Sequence, residues 1–179
     1  MEMITTIDLY ILFFTQNFLQ YYFLTPIFIF ITYLGDYGSI WLVIIICLLL
    51  HNKTRRIGLY ALLAYALCLL ITNGILKNVI GRERPFNVHS EIAPLINKPT
   101  DYSFPSGHTT MAFTIALFLN NFCDNKKGRR MILLATLIAF SRLYLGVHFL
   151  SDIIAGFVVG WIIAKFVYWL YKQMFYCKK

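Results

Sequence analysis

The chain has 179 residues, of which 59% are hydrophobic and 13% are charged, and its formal net charge is +8. This composition disfavours a water-soluble helical bundle, because a domain of this size cannot bury so much apolar surface, and it favours a chain embedded in a lipid bilayer. The basic excess is typical either of nucleic-acid-binding proteins or of the cytoplasmic loops of membrane proteins, and the positions of the charges decide between the two.

A membrane-spanning helix needs about 20 apolar residues. Segments of near-spanning length occur at residues 24–50, 57–77, 105–122, 131–147 and 149–171. The preceding stretch, 8–22, is too short to cross and contains several polar residues, which favours an interfacial helix. The sequence therefore predicts an all-α integral membrane bundle, a single domain over 1–179, with about five transmembrane helices plus the N-terminal interfacial helix. A sixth span, made by merging 8–22 with 23–34, is the alternative.

The basic residues lie mostly in links that five spans would place on one side of the membrane. These links are HNKTRR (51–56), DNKKGRR (124–130) and the terminal CKK (177–179). This side, with the end of the last span, holds eleven of the sixteen bases but one of the eight acids. By the positive-inside rule this side is cytoplasmic, so the charge is a topology signal and a nucleic-acid partner is not expected. The long loop 78–104 then lies outside, where loops of this length are usually functional or disordered.

Three motifs meet at the outer surface under this topology: KNVIGRERP (77–85), FPSGH (104–108) and SRLYLGVHFLSD (141–152). The second span ends outward at Lys77 and the fourth ends near Arg142. The third span begins at Pro105, which suits a first helical turn, and the fifth begins at His148. Ionisable groups are rare and costly in apolar spans, so their concentration on one rim predicts a functional site.

The motifs contain the groups that bind phosphate. Lys77, Arg84 and Arg142 supply cationic donors, and guanidinium groups match phosphate oxygens well. Ser106 and Gly107 would begin a helix, whose free amides and dipole favour an anion. Taken singly, the bases could be residues that flank a span and Ser106 an ordinary helix cap.

Two histidines supply the remaining groups for phosphoryl transfer. His148 and Asp152 are four residues apart at the start of the fifth span, so the carboxylate can hold the imidazole and fix its tautomer. His148 would then be the nucleophile and His108 the acid that protonates the leaving oxygen. No metal is required, since fixed cations can stabilise the transferred group. Asp36, inside the first span, is either structural or in contact with the site.

A stripe of small residues continues along the fifth span at Gly156, Gly160 and Ala164. Such stripes let a neighbouring helix approach closely in membranes. We interpret this stripe as a packing surface.

The three motifs resemble the signature KxxxxxxRP…PSGH…SRxxxxxHxxxD of the type 2 phosphatidic acid phosphatase superfamily, which shares its site with vanadium haloperoxidases. The resemblance covers about 35–164. The defining positions present are Lys77, Arg84, Pro85, Pro105, Ser106, Gly107, His108, Ser141, Arg142, His148 and Asp152.

The resemblance implies a metal-independent phosphatase that needs no cofactor and forms a phosphohistidine on His148. It implies His108 as general acid and Asp152 as the residue that orients His148. The phosphate would be bound by Lys77, Arg84, Ser106, Gly107 and Arg142.

The substrate implied is a membrane lipid phosphate or pyrophosphate delivered from the bilayer. Undecaprenyl pyrophosphate is favoured by analogy, with phosphatidylglycerophosphate, phosphatidate and lipid A as alternatives. The expected location is the bacterial inner membrane, with several crossings, the site facing the periplasm or exterior, and the C-terminus in the cytoplasm.

Two other functions use the same residues. A phosphate-binding transporter could use the same cations, although transporters usually show internal repeats and a site near the midplane. A zinc site could use His108, His148 and Asp152 as ligands.

Overall fold

The structure is a computed structural model and describes residues 2–175; Cys177, Lys178 and Lys179 of the basic terminus lie outside the described residues. All regular elements of this part of the chain are helical, which confirms the predicted all-α class. The α-helices are α1 (Glu2–Phe14), α2 (Thr25–Gly35), α3 (Ser39–Leu50), α4 (Arg55–Cys68), α5 (Lys77–Ile80), α6 (Pro85–Val88), α7 (Gly107–Asn120), α8 (Asn125–Tyr144) and α9 (Leu150–Phe175). Wider π-helical turns follow α1 (Thr15–Leu19) and join α4 to α5 (Leu69–Leu76).

Helix α7 is the centre of the bundle. Every residue from Thr109 to Ala116 is buried, because α4, α8 and α9 pack around the helix. The helix has no acidic or basic face, and its three buried threonines are interspersed among apolar side chains, as suits the interior of a bundle. The first turn of α7 carries His108, so the most deeply packed element of the fold positions one of the two predicted catalytic imidazoles.

The small-residue stripe on α9 packs against α7, as predicted. A Cβ atom added at Gly156 would lie 2.9 Å from the carbonyl oxygen of Ser106, and one at Gly160 would lie 2.7 Å from that of Thr110. Contacts this short with backbone atoms leave no space for a methyl group. The stripe therefore lets α9 approach the backbone of α7 closely enough to bring Asp152 beside the start of α7.

We expect Gly160→Ala to destabilise the fold by about 1–3 kcal/mol, since the added methyl group overpacks a backbone contact. For a chain of this size, this corresponds to a fall in Tm of roughly 2–12 °C. Gly74→Ala is the matched control, because its Cβ would meet only Leu70 Cδ1, at 3.6 Å. Thermal unfolding of the purified protein measures both. Equal midpoints for the two variants would contradict this packing.

Three helical stretches are long and apolar enough to cross a membrane: Thr25–Leu50, Arg55–Val88 and Leu150–Phe175. They correspond to the first, second and fifth predicted spans. The third and fourth predicted spans correspond to α7, with 14 residues, and α8, with 20. The count of five or six crossings stays a prediction.

Two predicted boundaries differ from the structure. Helix α7 begins at Gly107, so the expectation that Pro105 lies in the first helical turn is wrong: Ser106 is the N-cap with an extended backbone. Helix α8 begins inside the link DNKKGRR, because the Asp124 carboxylate accepts from the amide of Lys127 at 2.8 Å and caps the helix.

The two ends of the bundle differ in chemistry. The motifs lie at the end where α7 and α9 begin and α8 ends. At the opposite end, the Arg56 guanidinium lies 5.0 Å from the ring centroid of Phe175, and Phe122 packs against Tyr168 and Tyr171. The basic links at 51–56 and 124–130 thus lie together, away from the motifs, as the charge pattern requires.

The N-terminal segment lies across the motif end of the bundle. The amide of Ser151 donates to Asp8 at 2.9 Å, and Gln20 Nε2 donates to the carbonyl of Tyr144 at 2.6 Å. These contacts, twelve residues apart in the segment, reach the end of α8 and the start of α9, on either side of the turn between them. The helix starts earlier than the predicted 8–22, at Glu2, and its π-helical end is at Leu19. Its position across the helix ends is consistent with an interfacial helix.

Candidate active site

The three motifs surround one cavity of about 530 Å³ at this end of the bundle. Of the eight predicted site residues, six line it: Lys77, Arg84, Gly107, His108, Arg142 and His148. The other two, Ser106 and Asp152, are fully buried and absent from the cavity lining. The six residues come from three motifs that are far apart in the chain, so tertiary packing assembles the cavity.

His148 is held by Asp152, although not as two residues on one helix face. His148 lies in the turn before α9, and its Nδ1 is 3.3 Å from Asp152 Oδ2. The same carboxylate oxygen accepts from the amide of Phe149 at 2.9 Å, so Asp152 also caps the start of the helix. Complete burial lowers the pKa of His148 well below its ordinary value, against the opposing hydrogen bond with Asp152. The imidazole is therefore neutral near pH 7, with Nδ1 directed to the carboxylate.

The other nitrogen of His148 faces a guanidinium group. Nε2 is 3.3 Å from Nη1 of Arg84, and the same Nη1 donates to the carbonyl of Val147 at 2.8 Å. Because Nδ1 is engaged by the carboxylate, Nε2 carries the lone pair, which accepts from Arg84 Nη1 in this structure and becomes available when a phosphate oxygen takes that donor. An electrophile bound to Arg84 would lie next to this lone pair.

Asp152 is supported by residues that the sequence did not single out as part of the site. Ser103 Oγ donates to Asp152 Oδ2 at 2.5 Å, and Arg82 Nη1 donates to Asp152 Oδ1 at 2.6 Å. Arg82 is also paired with Asp8 of α1, at 2.8 Å. The sequence could have indicated Arg82 as a site residue, because it lies inside the motif KNVIGRERP. No feature of the sequence connects Asp8, in a distant segment, with the site.

The cations of the cavity differ in whether a carboxylate pairs with them. Lys77 and Arg84 both form ion pairs with Asp101 from the outer loop. Partial burial alone would raise the pKa of the Asp101 carboxyl group. The hydrogen bond from Lys77 and the charges of Lys77 and Arg84 outweigh the effect of burial, so the pKa of Asp101 lies well below its usual range. Arg142 donates to Thr32 Oγ1 at 2.6 Å, and within residues 2–175 it forms no ion pair and its buried Nε has no hydrogen-bond partner.

We expect Asp101→Asn to strengthen the binding of inorganic phosphate or vanadate by about tenfold. An anion that binds Lys77 and Arg84 must first displace the Asp101 carboxylate, and a hydrogen bond to a charged group is worth about 1.5–3 kcal/mol. The measurement is the dissociation constant from anion-dependent thermal shifts. Asp124→Asn, which keeps a good N-cap at the opposite end, is the control. Unchanged or weaker binding by Asp101→Asn would contradict this competition.

The start of α7 presents Gly107 to the cavity, but the Ser106 amide is occupied. This amide donates to the carbonyl of Asp152 at 3.1 Å, and the Ser106 hydroxyl accepts from Thr109 at 3.0 Å. A Cβ added at Gly107 would lie 3.7 Å from Lys77 Nζ. The absence of a side chain at Gly107 therefore keeps the backbone beside the lysine accessible to an anion.

His108 lies against Asp36, which resolves the question that the sequence left open. His108 Nε2 and Asp36 Oδ1 are 2.7 Å apart, and both residues line the cavity. His108 and His148 thus have separate carboxylate partners. Within the part of the chain that the structure describes, no three His, Cys, Asp or Glu side chains are grouped closely enough to hold a metal ion. The predicted alternative of a zinc site on His108, His148 and Asp152 does not fit this arrangement.

Comparison with known proteins places the chain in a family. The sequence pattern of the PAP2 superfamily matches residues 57–176, which include all three motifs. The chain belongs to the PAP2 superfamily. This confirms the resemblance to the type 2 phosphatidic acid phosphatases that the motifs indicated.

Proteins with similar sequences are named for different lipid substrates. An undecaprenyl-diphosphatase of Sulfolobus acidocaldarius is 35% identical over 73% of this chain and 64% of its own length. A phosphatidylglycerophosphatase B of Bacillus subtilis is 35% identical over 73% of this chain and 66% of its own length. A lipid A 4'-phosphatase of Porphyromonas gingivalis is 32% identical over 69% of this chain and 56% of its own length. The match thus spans less than two thirds of each relative's length.

Solved PAP2 structures share the fold. A transmembrane PAP2-type phosphatidylglycerolphosphate phosphatase from Bacillus subtilis superposes with a TM-score of 0.83 at 24% identity, over all of this chain and 90% of that one. Aquifex aeolicus LpxE superposes with a TM-score of 0.73 at 28% identity, over 89% of this chain and 93% of that one. Together with the apolar helices, these matches identify an integral membrane protein.

Proposed function

We propose that this PAP2 protein is a lipid phosphate or pyrophosphate phosphatase that acts through a phosphohistidine on His148. The observation that carries the proposal is the geometry of His148 in the cavity: its Nδ1 lies 3.3 Å from Asp152 Oδ2, and its Nε2 lies 3.3 Å from the Arg84 guanidinium. The buried Arg142, which forms no ion pair within residues 2–175, supports an anionic ligand, because a buried cation without a directly paired counterion is costly. Membership of a family with relatives named as phosphatases supports the same reaction.

The first step transfers the phosphoryl group to the protein. His148 Nε2 attacks phosphorus, the bond between phosphorus and the leaving oxygen breaks, and His108 gives its proton to that oxygen. Lys77, Arg84 and Arg142 stabilise the negative charge on the equatorial oxygens of the phosphoryl group. Because the protein already holds these cations in place, they need little reorganisation during the reaction. The Gly107 amide supplies a further donor, and Ser106 holds the helix start through its bond to Asp152.

The second step returns the protein to its starting state. A water molecule attacks phosphorus, the bond between phosphorus and His148 Nε2 breaks, and His108 accepts the proton of the water. Inorganic phosphate leaves the cavity, and the Asp101 carboxylate can return to Lys77 and Arg84. Fixed cations fill the charge-stabilising role throughout, so the proposed reaction requires no metal ion.

The proposed substrate is undecaprenyl pyrophosphate, supported by similarity to relatives named undecaprenyl-diphosphatase. Relatives named for phosphatidylglycerophosphate and lipid A make these lipids, with phosphatidate, the alternatives. The segregation of the basic links from the motifs supports a cavity on the outer side of a cell membrane and a cytoplasmic end of α9. A lipid headgroup would then enter from the outer leaflet.

Phosphate release from a lipid panel tests the proposal. The purified protein is assayed with undecaprenyl pyrophosphate, phosphatidylglycerophosphate, phosphatidate and lipid A, with and without a metal chelator. We expect turnover that the chelator leaves unchanged and vanadate inhibits, with the highest kcat/KM for undecaprenyl pyrophosphate. Turnover that ends with the chelator would contradict the mechanism. Vanadate binding without phosphate release from any lipid would favour the phosphate transporter instead.

A further inference from the structure

The break between α2 and α3 directs a carboxylate into the cavity. In this turn Tyr37 has φ 52° and Gly38 has φ 67°, so both residues are in the left-handed region. A tyrosine adopts this conformation at a cost of order 1–3 kcal/mol, and such strain persists only where the surroundings fix it. Here the Tyr65 hydroxyl donates to the carbonyl of Tyr37 at 2.6 Å. The turn is thus a fixed feature, and the side chain that it places in the cavity is Asp36.

The imidazole of His108 fits beside this turn only because residue 35 is glycine. A Cβ added at Gly35 would lie 2.8 Å from His108 Cδ2, which is closer than van der Waals contact allows. The same close approach brings His108 Nε2 to 2.7 Å from Asp36 Oδ1. The backbone and the carboxylate therefore both constrain the ring.

We propose that Asp36 is a positioning residue for the general acid of the reaction, a role that rests on the function proposed above. Asp36 accepts the Nε2 proton of His108 in a hydrogen bond and fixes the ring. Within the described residues, His108 Nδ1 has no hydrogen-bond partner, so Nδ1 is the nitrogen that gives a proton to the leaving oxygen and later takes one from water. The cavity then has two pairs of the same type, Asp152 with His148 and Asp36 with His108.

The charges of the cavity explain why the acid needs its own carboxylate. The groups that act on His108 include the cations Lys77 and Arg142 from neighbouring helices. Both repel an imidazolium, whereas a general acid must carry its extra proton before the leaving oxygen departs. Asp36 offsets this repulsion from the side of the ring away from the leaving oxygen. In Asp36→Asn this compensation is lost while the shape of the side chain is retained.

A double-mutant cycle with the lipid substrate tests this role. Asp36→Asn is expected to lower kcat by about 10- to 100-fold, part of the 10²–10⁴-fold that a general acid supplies, and to change KM by less than about threefold. His108→Ala is expected to lower kcat further. The double variant should equal His108→Ala alone, because Asp36 acts through His108.

Controls separate positioning from folding. Asp124→Asn makes the same change of side chain outside the cavity and should leave kcat unchanged. If Asp36→Asn does not fold, Asp36→Ser serves instead: it removes the carboxylate from His108, with the same fall in kcat and again no further loss in combination with His108→Ala.

The contrary results are distinct. A normal kcat in Asp36→Asn, a loss confined to KM, or a double variant with the product of the two single losses would overturn the role of Asp36. Absence of lipid phosphate hydrolysis by the unmodified protein would instead refute the proposed function.

Discussion

Replacement of His148 by alanine is expected to lower kcat by about 10⁴-fold or more, the range seen when a catalytic nucleophile is removed. The reason is geometric: His148 Nε2 is the nitrogen next to Arg84, and the partner nitrogen is taken up by Asp152. Phosphate affinity should stay within about threefold, because Lys77, Arg84 and Arg142 remain. Phosphate release from the lipid and phosphate-dependent thermal shifts measure the two properties on one preparation.

His51→Ala is the matched control for this experiment. His51 is exposed and directly follows α3, at the end of the bundle away from the cavity. Its replacement by alanine should leave turnover unchanged. Full activity of His148→Ala would assign the nucleophile to another group. Loss of phosphate binding together with turnover would place His148 in the binding site rather than in the chemical step.

Asp152→Asn is expected to lower kcat by about 10³- to 10⁴-fold, as the corresponding change does where a carboxylate orients a catalytic histidine. Among the described residues, Phe149, Ser103 and Arg82 donate to the Asp152 carboxylate. His148 Nδ1 lies beside the same carboxylate. An amide oxygen keeps some of these bonds but loses the charge that pairs with Arg82. The imidazole of His148 is then free to adopt the other tautomer, in which Nε2 carries the proton and cannot attack.

Kinetics and stability must both be measured for Asp152→Asn, because the residue also caps α9. Tm should fall by several degrees relative to Asp124→Asn, since a buried ion pair is broken. If Asp152 orients His148, the Asp152→Asn protein should still bind vanadate but should have lost most of its turnover. A folded, vanadate-binding Asp152→Asn protein with near-normal kcat would refute the orienting role.

The sequence predicted those parts of the site that rest on local patterns. Apolar segments of near-spanning length predicted the helical class. The order of these spans and the charges of the loops predicted that the three motifs lie at one end of the bundle. The motif residues Lys77, His108 and His148 indeed line one cavity. The contact between His148 and Asp152 was predicted from i, i+4 spacing, but the structure forms it from a turn and a capped helix start.

Other parts depend on tertiary contacts that no local pattern encodes. The pairing of Asp101 with Lys77 and Arg84 crosses the long outer loop, and the pairing of Arg82 with Asp8 joins segments more than seventy residues apart. The left-handed turn at Tyr37 could not be predicted, because the energy that sustains it comes from packing and from a distant hydroxyl. The role of Asp36 depends on that turn.

The stereochemical course at phosphorus tests the phosphohistidine most directly. The substrate carries a terminal thiophosphate made chiral with oxygen isotopes, and hydrolysis takes place in isotopically labelled water. Two in-line displacements, first by His148 and then by water, each invert the configuration, so the released thiophosphate should show net retention. Net inversion would mean that water attacks the substrate directly, and it would contradict a covalent intermediate on His148.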